Sequence, residues 1–398
     1  MNKHIWIINE YAGSPYHGME FRSFYLAKEW VKMGYKVTII SSSHSHVFKN
    51  QPTQKHEIIH GVEYLWLKTI KYPNSSSKKR ILKWFLFNIK LLTLPFKLQK
   101  PNIIILSPMA PFPSFFSWIL AKIYHAKFIY EVKDIWPLSI IELGGFSPKH
   151  PFIRLMSWFE RFALTHADSI VSNLQNYGKH LEALKIDKDF HWISNGVDLE
   201  ELAQKEPLSL SIKIPKDKFI VGYTGAIGKA NTLESFLEAA NLLATNENIL
   251  FVVVGDGSEK KSLMQQYKDA KNILFVESIP KKQVQSMLEY FDVCYIGLQK
   301  EKLFHYGVSP NKLYDYMYSK KPILYAIDSG KQNIITKVGC GLEAKAQNAQ
   351  DIADKIVKFT TMTPKELENI GIKGYKYVVK YFNYTTLAKI FEENVFNK

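Results

Sequence analysis

The stretch Phe219-Ile-Val-Gly-Tyr-Thr-Gly225 is an apolar run that ends in glycine, and an amphipathic pattern over Thr232–Leu243 follows it. A second apolar run ending in glycines comes next, Ile249-Leu-Phe-Val-Val-Val-Gly-Asp-Gly-Ser258. Two short apolar runs separated by a helical pattern predict two parallel strands joined by a crossover helix. Because helices cover both faces of such sheets, the stretch predicts an α/β fold.

The same alternation extends along the chain in two series. We predict strands at Ile5–Ile8, Lys36–Ser41, Ile103–Leu106, Lys127–Glu131, Ser169–Ser172, His191–Ile193, Phe219–Tyr223, Ile249–Val254, Ile273–Val276, Val293–Ile296 and Ile323–Tyr325. A polar stretch, Asp198–Pro215, separates the series. The 398 residues therefore fit two Rossmann-like domains, 1–197 and 198–376, and we expect a helix in 377–398 to return to the first. Since ligands bind beyond the carboxyl ends of parallel strands, two facing domains would bind them in a central cleft.

Composition excludes several classes of protein. Hydrophobic residues make up 46% of the chain, which excludes a disordered protein. Two cysteines, Cys294 and Cys340, can form neither a disulfide framework nor a zinc site, and we expect inert core thiols. The first apolar run is too short for a signal peptide, and the prolines within 101–121 would interrupt a membrane-spanning helix. We therefore expect a cytoplasmic protein with no transmembrane span. The histidines show no metal spacing, so no metal and no cofactor are assigned.

Positive charge is concentrated in one part of the chain. The formal net charge is +15, and no acidic residue occurs between Glu63 and Glu131. Within that interval, the segment 78–100 combines lysines with aromatic and aliphatic residues in a helical pattern, which is typical of a helix lying on an anionic membrane surface. The residues expected at the headgroup level are Lys83, Trp84, Phe85 and Lys90. A buried core helix is the alternative. No recognition motif accompanies the charge, so no nucleic-acid partner is expected.

A further segment, Gly307-Val-Ser-Pro-Asn-Lys-Leu-Tyr-Asp315, has the sequence of a helix start. Ser309 is a suitable N-cap and Pro310 suits the first helical position, so we predict that a helix begins there. The free N–H groups and the dipole of a helix start favour a bound anion. Lys312 and Asp315 would lie on one face, within reach of a diphosphate and a ribose. The alternative is an ordinary capped helix in which these two side chains form an ion pair.

This segment resembles the donor-binding helix of the GT-B glycosyltransferases of family 4. Its Ser-Pro-Asn-Lys version resembles a branch of the family that is active in bacterial surface polysaccharide assembly. The family typically carries two glutamates eight positions apart, and the matching positions here are Gly307 and Asp315. The resemblance implies donor contacts from the backbone of Val308, Ser309 and Asn311 and from the side chains of Lys312 and Asp315.

Other motifs extend the resemblance over nearly the whole chain. The loop Tyr223–Asn231 would supply Gly225 and Lys229 to the donor diphosphate. The backbone of Ser278 and Ile279, at the end of a predicted strand, would contact the nucleobase. The Val-Gly-Asp-Gly turn quoted above also matches the family.

Two loops of the first domain complete the set of candidate residues. The glycine loop after the first strand would bring Gly18 close to the sugar and diphosphate. The loop Tyr130-Glu-Val-Lys-Asp-Ile-Trp-Pro137 places Asp134 at the carboxyl edge of another strand, where the family often has a His-Asp pair. Asp134 and Lys312 are therefore the candidate catalytic residues. A surface loop at Gly18 and a structural role for Asp134 are the alternatives.

The resemblance implies a retaining glycosyltransferase, with UDP as the nucleotide and an N-acetylated hexosamine or deoxyhexosamine as the donor sugar. Together with the basic segment, it implies a polyprenyl-diphosphate-linked saccharide as the acceptor. Because no convincing pair of carboxylates is present, the resemblance implies a front-face reaction in which a donor phosphate oxygen accepts the acceptor proton. A membrane-bound acceptor would place the protein on the inner face of the plasma membrane. A sugar-nucleotide epimerase of the same fold and a non-catalytic sugar-nucleotide-binding protein are the alternatives.

Overall fold

The computed structural model of the protein describes residues 3–18, 21–74, 77–210, 212–330 and 333–397. The chain divides into an N-terminal unit, Met1–Ser194 with Tyr384–Lys398, and a C-terminal unit, Asn195–Asn383. The sequence predicts divisions at 197/198 and 376/377, and the two units divide after Ser194 and after Asn383. The helix Pro364–Tyr381, which starts with a capping box, runs unbroken through 376.

The N-terminal unit is built on one mainly parallel sheet. Its described strands are β1 (His4–Ile8), β2 (Lys36–Ser42), β3 (His56–Ile59), β4 (Val62–Leu67), β5 (Ile103–Leu106), β6 (Lys127–Val132), β7 (Ser169–Ser172) and β8 (Phe190–Trp192). Their order is β3-β4-β2-β1-β5-β6-β7-β8, and only the pair β3–β4 is antiparallel. Six of these strands were predicted to within one residue at each end, and the hairpin β3–β4 was not predicted.

Helices cover this sheet. They are α1 (Arg22–Lys32), α2 (Lys79–Leu91), α3 (Ser114–Tyr124), α4 (Leu138–Glu142), α5 (Pro151–His166), α6 (Gly178–Ala183) and the late helix α15 (Tyr384–Phe391). Helix α15 packs on α1, where the Trp30 indole donates a hydrogen bond to the Ala388 carbonyl over 3.2 Å. The Thr385 hydroxyl also donates to Glu29 over 2.8 Å. These contacts hold the end of the chain in the N-terminal unit.

The C-terminal unit contains a fully parallel sheet. Its described strands are β9 (Phe219–Thr224), β10 (Ile249–Val254), β11 (Ile273–Val276), β12 (Val293–Gly297), β13 (Ile323–Ala326) and β14 (Gly341–Glu343). Its helices are α7 (Leu199–Ala203), α8 (Leu233–Leu242), α9 (Lys260–Gln266), α10 (Val284–Leu288), α11 (Asn311–Tyr318), α12 (Ile334–Val338), α13 (Ala349–Thr360) and α14 (Pro364–Tyr381). The order is β11-β10-β9-β12-β13-β14. The βαβ unit predicted from 219–258 is therefore confirmed as β9-α8-β10, and only β14 was not predicted.

Strand order locates the ligand-binding edge of each sheet. In the N-terminal sheet the chain runs outward from β1 on one side and from β5 on the other. In the C-terminal sheet it does so from β9 and β12. Loops at the carboxyl ends beside such a switch point diverge and leave a crevice in which α/β proteins bind ligands. No helix in the described part of the chain has the length and hydropathy needed to span a membrane.

Candidate functional site

A cavity of about 350 Å³ lies at the carboxyl ends of β9, β10 and β11, which is a volume typical of small-molecule sites. Its lining residues are Thr224, Gly225, Ala226, Val254, Gly255, Asp256, Ser278, Ile279, Val284, Lys312 and Asp315. Five of them were selected from the sequence as donor-binding residues: Gly225, Ser278, Ile279, Lys312 and Asp315. The residues around the Val-Gly-Asp-Gly turn were not among those predicted from the sequence to contact the donor. The turn follows β10, the strand next to β9, and this position at the same edge of the sheet could have indicated that its residues line the site.

Two glycine loops form one wall of the cavity. Gly225 and Gly255 have φ angles of +142° and +147°, a region that favours glycine. A Cβ atom on Gly255 would lie 1.9 Å from the Gly225 carbonyl oxygen, so no side chain fits between the loops. The Gly225 N–H donates to the Val254 carbonyl over 2.9 Å, which fixes the loops to each other. The wall is therefore bare backbone that a ligand can approach closely.

Lys312, from the first turn of α11, is the cation of the cavity. Its ammonium donates to the Tyr223 hydroxyl over 2.5 Å and to Asn231 Oδ1 over 3.1 Å, and it lies 4.0 Å from the centre of the Tyr223 ring. A Cβ on Gly225 would lie 2.9 Å from Lys312 Nζ, which shows how close this ammonium is to the glycine wall. Burial lowers the pKa of Lys312 to about 7. The predicted alternative, an ion pair with Asp315, is not the arrangement found, because both described partners of the ammonium are neutral.

Asp315 lies one turn further along α11 and has a different partner. Both of its carboxylate oxygens accept hydrogen bonds from Lys281 Nζ, over 2.7 and 2.6 Å. The side chain of Asp315 is buried, and that of Lys281 is 41% exposed. The carboxylate is therefore held in the cavity wall by a lysine that can move toward solvent.

The start of α11 differs from the prediction. The helix begins at Asn311, and Ser309 does not cap it. The Ser309 hydroxyl accepts from the Asn195 N–H over 3.0 Å and shares a 2.8 Å hydrogen bond with the Tyr314 hydroxyl. Ser309 therefore ties the helix start to the beginning of the C-terminal unit. Gly307 has a φ of +111°, so any side chain at this position would strain the backbone.

Five predicted donor residues are not among the lining residues of the cavity: Gly18, Lys229, Val308, Ser309 and Asn311. Lys229 is exposed on a short 3-10 helix. Gly18 lies in the N-terminal unit with a φ of +103°. A Cβ there would lie 2.9 Å from the Lys49 backbone nitrogen, so packing against that backbone accounts for this glycine.

The Asp134 loop follows β6 at the carboxyl edge of the N-terminal sheet. Asp134 is exposed, and its carbonyl accepts from the Trp136 N–H over 3.1 Å. The buried acid of this strand is Glu131, which was not among the residues predicted from the sequence. Arg22 donates to it over 3.0 Å and also binds the carbonyl of Ser194. Burial would raise the pKa of Glu131, but Arg22 and other nearby groups lower it overall.

The basic segment corrects two predictions of membrane contact. Helix α2 forms as predicted, yet Lys83 has no exposed surface and Trp84 is only 5% exposed. The Trp84 indole donates to the Tyr11 hydroxyl over 3.0 Å. Both residues therefore face the protein. The helical pattern of the segment does not determine which side of the helix packs against the rest of the protein. Phe85 is 39% exposed, and Lys90 is half-buried.

Neither unit offers an obvious metal site in its described residues. No group of three or more histidine, cysteine, aspartate or glutamate side chains is close enough to hold an ion there. The two cysteines are buried and unpaired, and burial raises the pKa of each thiol to about 12. Neither thiol is available as a thiolate at neutral pH.

Two family models match adjoining parts of the chain. Glycosyltransferase Family 4 matches residues 16–201, and Glycosyl transferases group 1 matches residues 204–377. The second match contains the whole lining of the cavity.

Individual proteins are similar at lower levels. Over 205 residues the chain is 25% identical to WcaI of Escherichia coli (strain K12), a protein assigned by inference to glycosyl transfer in colanic acid biosynthesis. The match covers 49% of this chain and 50% of that protein, so the chain spans about half the length of this curated relative.

Solved structures share the fold. Sucrose-phosphate synthase from Thermosynechococcus elongatus has a TM-score of 0.73 at 15% identity, over 98% of this chain and 97% of that one. HepE of Anabaena, solved with UDP, has a TM-score of 0.65 at 13% identity over 100% of both chains. With these folds and two family models on adjoining parts of the sequence, the chain has the GT-B fold and carries a Glycosyltransferase Family 4 domain followed by a Glycosyl transferases group 1 domain.

Proposed function

We propose that this chain is a retaining enzyme that transfers a sugar from a UDP-linked donor to a polyprenyl-diphosphate-linked saccharide in surface polysaccharide synthesis. The observation that carries the proposal is the cavity beyond β9, β10 and β11, in which Lys312 meets bare glycine backbone and has only neutral described partners. A partly buried ammonium without a counterion is an electrostatic site for an anion. A donor diphosphate supplies that anion.

The lining residues support one orientation of the donor. The diphosphate would lie against Gly225 and Lys312, near the N-terminus of α11, whose first N–H groups have no intrahelical acceptor. Asp315 is one helical turn away and could accept hydrogen bonds from the ribose hydroxyls once Lys281 shares or leaves it. The nucleobase would then meet the backbone of Ser278, at the end of β11.

This orientation suits the departure of a nucleoside diphosphate. As the bond from the sugar's anomeric carbon to the leaving phosphate breaks, negative charge builds on the phosphate oxygens. Lys312 and the start of α11 are in place to stabilise that charge before it develops. The acceptor oxygen bonds to the same face of the sugar, and its proton passes to the leaving phosphate. We propose that Asp134 orients the acceptor. The colanic acid assignment of WcaI supports a polysaccharide acceptor.

We also propose that the N-terminal unit binds the inner face of the plasma membrane. The exposed residues Leu82, Phe85, Ile89 and Leu92 recur every three or four residues along α2 and its C-cap, and Phe96 just beyond is 90% exposed. This spacing forms an apolar stripe along one face of the helix. Lysines at 78, 79 and 90 flank it, and no acidic residue occurs nearby in the sequence. Apolar side chains flanked by cations favour an anionic leaflet.

A panel of donors tests the reaction. The protein is incubated with UDP-, GDP- and dTDP-sugars, each with and without a polyprenyl-diphosphate-linked saccharide, and nucleoside diphosphate release is measured. We expect acceptor-dependent release from a UDP-sugar. No release in any combination would refute transferase activity. Conversion of the donor sugar without an acceptor would favour the epimerase. Binding of the donor without any reaction would favour the non-catalytic sugar-nucleotide-binding protein.

A further inference from the structure

Two buried charged side chains in the N-terminal unit are not used by the function proposed above. Lys83, on α2, has no exposed surface, and its ammonium has no hydrogen-bond partner among the described residues. Glu10, just after β1, is 3% exposed, and one of its carboxylate oxygens also has no partner there. Buried charged groups are nearly always hydrogen-bonded, since an unsatisfied one destabilises the fold. A lysine left in this state requires a functional explanation.

Aromatic rings and a second cation surround Lys83. Its ammonium lies 4.1 Å from the centre of the Tyr11 ring and 5.6 Å from that of Tyr72. Arg80, one turn earlier on α2, donates to the Tyr11 hydroxyl over 3.0 Å and stacks on Trp84 at 5.1 Å. Ring faces attract a cation but cannot accept hydrogen bonds as an oxyanion does. The arrangement holds two cations side by side and leaves the donors of Lys83 unused.

Glu10 is the acidic side chain that interacts electrostatically with the two cations, Arg80 and Lys83. Burial raises the pKa of Glu10, although Lys83 and Arg80 oppose this. Burial lowers the pKa of Lys83 to about 8, and Glu10 opposes that shift. Glu10 therefore favours the charged form of Lys83, and burial opposes it.

The cluster lies at the switch point of the N-terminal sheet. Glu10 and Tyr11 follow β1, and Met109, whose sulfur accepts from Arg80 over 2.8 Å, follows β5. The two loops that diverge at this point therefore meet the start of α2 here. Arg80 is half-buried, whereas Lys83 has no exposed surface. The ligand-binding edge of the sheet therefore holds two cations, and the ammonium of one of them, Lys83, has no hydrogen-bond partner among the described residues.

We propose that Arg80 and Lys83 bind a phosphoryl group of the acceptor at the carboxyl ends of β1 and β5. A guanidinium binds phosphoryl oxygens through a fork of N–H donors, and the flexible stem of lysine lets its ammonium reach the same group. The oxyanion supplies the acceptors that Lys83 lacks. That the ligand is the acceptor rests on the proposed function, whereas binding of a phosphoryl group does not.

Inorganic pyrophosphate tests the site directly. It is titrated by calorimetry into the full chain with saturating UDP, which occupies the donor site. It is also titrated into the Lys312→Ala variant without UDP, where the donor site is impaired. We expect binding in both cases, weakened at least tenfold by Lys83→Met and by Arg80→Gln. Lys122→Met removes a charge from the neighbouring helix α3, outside the cluster, and is expected to leave the affinity within threefold of wild type.

The outcomes separate this proposal from the proposed function. Absence of pyrophosphate binding would overturn the phosphoryl site even if UDP-sugars are turned over. Wild-type affinity for pyrophosphate in both Lys83→Met and Arg80→Gln would overturn it as well. If Lys83→Met fails to fold, Arg80→Gln alone decides, because Arg80 is only half-buried. Titration of farnesyl diphosphate and glucose 6-phosphate distinguishes the sources. Tighter binding of the first indicates a lipid-linked acceptor, and tighter binding of the second a soluble phosphorylated one.

Discussion

Raising the pH from 7 to 9 should weaken UDP binding by removing the proton of Lys312. Burial holds its pKa at about 7 in the free protein, and a bound diphosphate must raise that pKa because it favours the charged form. The second pKa of a phosphate monoester is about 6, so the charge of UDP is nearly constant between pH 7 and 9. The protonated fraction of Lys312 falls from about one half to about one hundredth, so the affinity should fall by about 50-fold, or about 2.3 kcal/mol.

Calorimetry at several pH values measures this directly. Titrations at pH 8 in buffers of different ionisation enthalpy should show about one proton taken up per UDP, since most of the free protein is then neutral at Lys312. Lys312→Arg keeps its charge at every pH used, so its affinity should not change between pH 7 and 9. Lys312→Met should bind weakly and without pH dependence. A wild-type affinity that is constant from pH 7 to 9, with no proton uptake, would refute this role of Lys312.

Three further results are expected. The wild-type protein should prefer UDP over 2′-deoxy-UDP by about tenfold or more, because a hydrogen bond to a charged group contributes that much. Asp315→Asn should abolish this preference, which calorimetry with both nucleotides measures. An unchanged preference would contradict the ribose contact. Lys229→Met should change UDP affinity by less than about threefold, as an exposed lysine outside the cavity wall contributes little, and a loss as large as that in Lys312→Met would contradict the site. The double variant Phe85→Asp with Ile89→Asp should reduce sedimentation with phosphatidylglycerol vesicles by at least about tenfold, because two apolar contacts with the membrane are lost. Its affinity for UDP should not change. Sedimentation equal to that of the wild type would contradict the membrane surface.

Much of the fold could be predicted because its central strands are continuous apolar runs. Ile103-Ile-Ile-Leu106 and Ile249–Val254 are buried on both faces, and no amphipathic helix has such a pattern. The hairpin β3–β4 escaped prediction because it lies at the sheet edge and carries polar residues such as Glu57 and Glu63. Its strand signal depends on neighbours that are distant in sequence.

The candidate site was only partly predictable, for a related reason. The glycine loop at Gly225 and the first turn of α11 have local sequence signatures, so Lys312 could be chosen. The pairing of Asp315 with Lys281 could not, because 34 residues separate them. The burial of Lys83 could not be predicted, because the charge and the helical pattern of residues 78–100 do not determine how the helix is rotated against the rest of the protein. The same limit hid the contact of Arg22 with Glu131, which are 109 residues apart.

A crystal structure of the protein with UDP tests the central claim most directly. We predict the β-phosphate within hydrogen-bonding distance of Lys312 Nζ and beside the Gly225 backbone, with the ribose hydroxyls on Asp315. UDP bound elsewhere, or bound with its phosphates turned away from Lys312, would contradict the account.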